Sequence, residues 1–167
     1  MCGIVGWANI DPNSETDGRD SAAILHAMCL RIEHRGPDSE GRYLDRSVAL
    51  GIRRLAVIDL VTGEQPFFNE DRSIVTILNG EIYNYRELRD GLIASGHRIS
   101  SMSDTEVLPH LYEDLGPQMV ENLNGMFAFA TWDEKRKRLF IVRDRLGQKP
   151  LYYGVFGGKL IFASELK

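Results

Sequence analysis

Residues 126–143 read MFAFATWDEKRKRLFIVR, and this stretch decides the fold. Two apolar runs, Met126–Trp132 and Leu139–Arg143, flank the charged segment Asp133–Arg138. Each run has a strand's length, so the pair predicts a hairpin with a solvated turn. The basic cluster Lys135-Arg136-Lys137-Arg138 belongs to that turn rather than to a phosphate site. Leu151–Phe156, Gly157-Gly158 and Lys159–Ala163 repeat the pattern as a second hairpin.

The rest of the chain agrees. Residues 2–8 (CGIVGWA) predict a short buried strand in which Gly3 and Gly6 permit close backbone approach to a neighbour. Arg42–Leu44 and Val48–Arg53 predict two further strands, and Leu55–Leu60 continues extended. Ser73–Leu78 (SIVTIL) has the composition of a buried strand and runs into Asn79-Gly80, a turn signal. Helical spacing appears over Asp20–Ile32, with Cys29 on or beside the apolar face. Asn84 with Glu87 and Ser103 with Glu106 are capping-box patterns that open helices ending at Gly96 and at Gly116-Pro117. Pro109 means that the second of these, over Asp104–Leu115, either starts later than Ser103 implies or is kinked. Strands outnumber helices and come in hairpin-connected runs, which predicts an α+β fold with antiparallel sheets.

With 167 residues the chain is long enough for one domain that buries roughly 70% of its unfolded surface. Net charge is −4 with Lys and Arg scattered, so no electrostatic footprint for nucleic acid is present. No apolar run approaches the roughly 20 residues needed to span a membrane, and the apolar run at Ile4–Ala8 lacks the basic flank of a signal peptide. Cys2 and Cys29 show no metal-ligand spacing with each other or with histidine, so no metal is expected. A reducing, cytoplasmic setting is the expectation.

Cys2 directly follows the initiator methionine. After removal of Met1 it carries a thiol nucleophile and a free α-amine able to take the thiol proton. While Met1 remains, that nitrogen is an amide and offers no base. The competing reading is a small buried residue at a strand start. If Cys2 attacks a carbonyl, donors must face the developing oxyanion. Asn79-Gly80 supplies a neutral side-chain amide and a closely approachable backbone N–H, although a plain turn also explains it. Arg53-Arg54 lies in an apolar context and wants a carboxylate from protein or ligand, and Asp104 suits an ammonium or a helix start. His26, His34, His97 and His110 offer a rival Cys–His pairing, but no motif singles one out.

Eight stretches (MCGIVGW, HRGPDSEG, LGIRRLAVIDL, NGEIYNYRELR, SDTEV, LNGMFAFATWD, RDRLGQKPLYYG and IFASELK) resemble, in order and spacing, the N-terminal glutaminase domain of glutamine-hydrolysing asparagine synthetases. These are class II glutamine amidotransferases. The resemblance spans residues 1–167. It implies the four-layer αββα fold of the N-terminal-nucleophile hydrolases. It also implies Cys2 as nucleophile with its own α-amine as base, and an oxyanion hole from the Asn79 side chain and the Gly80 N–H. Arg54 would hold the α-carboxylate of glutamine, Glu81 and Asp104 its α-amino group, and the backbone of Leu55, Ala56, Val57 and Ile58 would line the pocket. Family members often carry histidine where this chain has Ile52. The family makes ammonia for an ATP-using synthetase domain, which the resemblance puts after Lys167 and outside this chain. ATP and magnesium are expected only there, the glutaminase itself using no cofactor or metal, and a homodimer is one assembly the family allows. A chain that kept Met1 would instead be a non-catalytic glutamine-binding or docking module.

Overall fold

Alternation along each strand sorts side chains onto opposite faces, and the sorting stacks the chain into four layers. The computed structural model describes residues 1–11, 18–56, 59 and 62–166. In order these form β1 (Gly3–Asn9), α1 (Gly18–Arg31), a 3₁₀ turn (Glu33–Arg35), β2 (Ser39–Leu44), β3 (Val48–Arg54), β4 (Phe67–Phe68) and β5 (Ile74–Ile82). There follow α2 (Tyr85–Ala94), α3 (Val107–Leu115), a 3₁₀ segment (Gly116–Asn122), β6 (Gly125–Asp133), β7 (Arg138–Arg143), β8 (Tyr152–Phe156) and β9 (Lys159–Ala163). One sheet has the order β2-β3-β1-β9-β8 and the other β4-β5-β6-β7. Every strand pair is antiparallel. The β6–β7 hairpin pairs from Ala128 with Arg143 to Asp133 with Arg138, leaving the charged segment at its tip.

Three cores separate the layers. Ile4, Ala8, Leu50, Ile52, Val75, Ile77, Ala130 and Phe162 fill the space between the sheets. Val5, Trp7 and Ala49, from the opposite face of β1 and β3, pack on Leu25, Cys29 and Ile32 of the α1 region. Ile74, Leu78, Ile82, Phe127 and Phe129 pack on Leu92, Leu108, Leu111 and Tyr112 of α2 and α3. Burial pushes the Cys29 thiol up to about 12, so it is an inert core group. Gly6 is crowded by the strands on either side of β1: a Cβ there would sit 2.3 Å from the Ala49 carbonyl oxygen of β3 and 2.6 Å from the Phe162 ring of β9. Gly6→Ala is therefore expected to cost about 2–3 kcal/mol, lowering Tm by roughly 5–10 °C in a calorimetric scan. No helix among the described residues is long and apolar enough to cross a membrane.

Three local expectations need correction. Asn79-Gly80 is not a turn: β5 pairs residue by residue with β6 from Ile74–Asp133 through Ile82–Gly125, and the sheet outweighs the local turn preference. Asn84 makes no side-chain cap, because its amide bonds Asn122 O at 2.9 Å and its Oδ1 accepts from Asn124 N at 3.0 Å. Glu106 likewise turns away from the box geometry and accepts from Ser100 N and Ser101 N at 2.9 and 2.6 Å. Consequently α3 starts at Val107, and Pro109 occupies its first turn, where a missing N–H costs nothing.

Candidate active site

The period-2 rule that builds the inter-sheet core also aims its polar extensions. Cys2 is two residues before Ile4, Arg54 two after Ile52, and Asn79 two after Ile77, with Glu81 two further on. All four therefore continue inward-facing rows beyond the point where apolar side chains stop. They line one cleft of about 110 Å³ together with Gly80 and Asp104. The long-range arrangement thus follows from strand parity once the register is known.

Cys2 is pinned from several sides. Arg35 Nε donates to Cys2 O at 3.0 Å, and Arg35 Nη1 pairs with Glu165 at 2.9 Å. Ile4 N donates to Ser164 Oγ at 2.9 Å, and Ser164 N returns a bond to Ile4 O at 2.8 Å. The thiol hydrogen-bonds backbone, with Leu55 N 3.4 Å from Sγ, and packs beside the inter-sheet core. Met1 also lines the cleft, so its removal would both expose the amine and open the space beside the thiol.

Asn79 is 1% exposed, yet neither its Nδ2 nor its Oδ1 has a partner. Leaving an amide unpaired in a protein interior costs about 1–3 kcal/mol. That unpaired amide lines the same cleft as the thiol, where an entering group could bond it. Gly80 has φ 157°, and a Cβ there would fall 2.2 Å from Met126 O, so only glycine fits next to Asn79.

The cleft carries side chains of both charges, Arg54 and Lys149 with Glu81 and Asp104. Arg54, 5% exposed, bonds Glu64 at 3.1 Å and the Asp59 carbonyl at 2.6 Å while its side chain lines the cleft. Arg53 points to the other face and spends its guanidinium on Gly36 O, Glu40 and Glu33, so the ambiguity of the Arg53-Arg54 pair resolves by parity. Asp104 is 5% exposed and accepts from Ile82 N at 2.8 Å. Burial, reinforced by the Glu81 charge, pushes its carboxyl up to about 6. Leu55 lines the cleft, and Ala56 is fixed by a 2.8 Å bond from its N–H to Asp38 Oδ2. Val57 and Ile58 lie outside the described residues.

Three contributors escaped the sequence reading. Gln65 receives Leu78 N at 2.7 Å and donates to Leu78 O and Thr105 Oγ1, each at 3.2 Å, tying the Asp104 loop to β5. Lys149, 7% exposed, lines the cleft with Nζ 3.6 Å from Met1 Sδ. Arg35 does its work inside the HRGPD motif without any local signal of its target. No histidine among the described residues lines the cleft, which removes the Cys–His alternative.

A family model described as a glutamine amidotransferase domain matches residues 1–167. The chain belongs to the glutamine amidotransferase domain family. Over its full length this amidotransferase domain is 46% identical to glutamine-hydrolysing asparagine synthetase 2 of Bacillus subtilis, covering 22% of that protein. It is 44% identical to synthetase 1 of the same organism, covering 26%, and 39% identical to synthetase 3 of Arabidopsis thaliana, covering 28%. The domain thus spans about a quarter of these relatives. The glutamine phosphoribosylpyrophosphate amidotransferase of B. subtilis superposes on 98% of the chain with a TM-score of 0.74 at 23% identity, covering 42% of that chain. The allosteric regulatory enzyme of purine biosynthesis gives 0.77 at 21%, with the same coverage. At these identities the superpositions speak for the fold alone, and they bear out the expected antiparallel αββα architecture.

Proposed function

We propose that this amidotransferase domain hydrolyses the side-chain amide of glutamine to glutamate and ammonia through a thioester on Cys2. The observation that carries the reading is the orphaned amide of Asn79, buried in the same cleft as the thiol. In this scheme Met1 is first removed. The freed α-amine takes the thiol proton and the thiolate attacks the glutamine Cδ. The resulting oxyanion accepts bonds from Asn79 Nδ2 and the Gly80 N–H, which are stronger in this state than with the ground-state carbonyl. Collapse breaks the C–N bond, the α-ammonium returns its proton to the leaving ammonia, and water then cleaves the thioester. Arg54 takes the α-carboxylate of glutamine and Asp104 with Glu81 its ammonium, which matches charge of opposite sign at each end. Leu55, Ala56, Val57 and Ile58 would form the wall beside the substrate. This half-reaction draws on no cofactor. In the parent protein the ammonia would pass to a synthetase domain that uses ATP and magnesium, with aspartate the first choice of acceptor. Two free thiols, one of them a required nucleophile, suit a reducing cytoplasm.

Met1 supports a second reading, because it lies in the cleft and blocks the amine while it stays. A chain that kept it would bind or dock without turnover. Intact-mass measurement together with an ammonia assay separates the two: loss of one methionine should coincide with activity.

Asp104 gives a pH test. Folding raises its pKa, so the folded protein holds that proton more tightly than the unfolded chain. The group's contribution to stability is therefore present at low pH and is lost as pH rises through about 6. An incoming ammonium reverses the preference by favouring the ionised carboxylate. Glutamine affinity, measured calorimetrically on Cys2→Ala protein, is expected to weaken by up to roughly tenfold per unit as pH falls below that value. In Asp104→Asn, which can still accept from Ile82 N, affinity should be low and flat with pH, while Tm near neutral pH rises. An unchanged pH profile in that variant would remove Asp104 from substrate binding.

A further inference from the structure

We propose that Glu70, His97, His110 and Glu113 form a binding site for a divalent zinc-class ion, at a place remote in sequence from Cys2 and outside the cleft. One ligand atom from each residue falls within a mutual 4.8 Å. The two histidine Nδ1 atoms are 3.2 Å apart. Glu70 Oε2 is 3.2 Å from His110 Nδ1 and 3.5 Å from His97 Nδ1, and Glu70 Oε1 is 3.2 Å from His97 Nδ1. A tetrahedral ion with bonds of about 2.0–2.1 Å holds its ligand atoms about 3.3–3.4 Å apart, so these edges already have the size of that polyhedron.

Hydrogen bonding serves the triangle poorly. An imidazole Nδ1 carries one in-plane proton or one lone pair and can satisfy one neighbour, not two. Asp114 Oδ1, 3.1 Å from His97 Nε2, holds the ring so that Nδ1 faces the Glu70 carboxylate and the other imidazole. A cation among these atoms would take one lone pair from each imidazole Nδ1 and from the carboxylate, with Asp114 as the carboxylate that orients a ligating histidine from behind. Glu70 is also held by Arg98 N at 2.7 Å, and Glu113 by Asn69 Nδ2 at 2.9 Å, so both carboxylates are aimed before any ion arrives. The mixed nitrogen and oxygen donor set suits zinc, cobalt or nickel better than calcium or magnesium.

The residues come from the β4–β5 connection, from the segment after α2, and from α3 at positions 110 and 113, one helical turn apart. No motif spacing announces such a set. Bound metal would fasten both ends of the segment 97–110, which carries Asp104.

The test uses Cys2→Ala protein, so that the thiol cannot compete, stripped with a chelator and titrated with Zn²⁺ or Co²⁺ alone. One ion should bind per chain, and Co²⁺ should give the intense visible absorption of a four-coordinate site. Zn²⁺ at about a hundredfold excess over its Kd should raise Tm by roughly 5–10 °C. His97→Gln and the surface variant Glu113→Gln, each with an apo Tm near that of the parent, should bind at least tenfold more weakly. Asp114→Asn should lose about 10- to 100-fold. Absence of stoichiometric binding in the folded parent, or binding unchanged in His97→Gln and Glu113→Gln, would overturn the site and leave a proton-sharing histidine pair.

Discussion

Replacing Cys2 with alanine or serine is expected to lower ammonia release from glutamine by on the order of 10⁴- to 10⁶-fold, the range associated with losing a member of a nucleophilic catalytic set. Stability should hardly change. Sγ hydrogen-bonds the Leu55 backbone, at 3.4 Å from N and 3.6 Å from O, and the strand start is held by Arg35 on Cys2 O and by Ser164 on Ile4 N. A chain engineered to keep Met1 should be as inactive as Cys2→Ala although its thiol is intact, because the base and the nucleophile belong to one residue. Steady-state ammonia assays on the three proteins, with thermal melts alongside, check both halves. A serine variant with native turnover would end the thioester scheme.

The second large effect concerns Asn79. Asn79→Ala is expected to reduce kcat by roughly 10²- to 10³-fold, or about 2.7–4 kcal/mol in the transition state. Its effect on folding should have the opposite sign. The side chain is 1% exposed with both polar atoms unpaired, so truncation removes an unsatisfied amide and Tm should hold or rise. The cavity left by the smaller side chain offsets part of that gain. KM should move little, since the interaction strengthens as the oxyanion forms. A fall in Tm with kcat intact would instead make Asn79 an ordinary core residue.

Most of the fold was legible because its determinants are local. The charged turn between Met126–Trp132 and Leu139–Arg143 sets an antiparallel register within one hairpin, and Gly157-Gly158 does the same for the last two strands. The site was legible in its residue types but not in its geometry. Asn79-Gly80 looked like a turn, yet pairing with Ala128 and Phe127 keeps it in β5, and that extension turns Asn79 inward. Pairing partners separated by some 50 residues leave no mark in a local window. The contributions of Arg35 to Cys2, Gln65 to β5 and Lys149 to the cleft are of the same kind, each depending on contacts across distant segments. The capping boxes failed in two ways: Asn84 is engaged by the distant backbone of Asn122 and Asn124, and Glu106 accepts from Ser100 and Ser101 just before its own helix.

The proposed chemistry depends on Cys2 as the reactive N-terminus. The most direct measurement treats the processed domain with a glutamine analogue carrying an electrophilic carbon in place of the amide, then records intact mass and maps the labelled peptide. The expected result is one adduct per chain, on Cys2 with a free α-amine, blocked by excess glutamine and absent from Cys2→Ala. Folded protein that has lost Met1 and yet takes up no label, or takes it at Cys29 or elsewhere, would contradict the assignment.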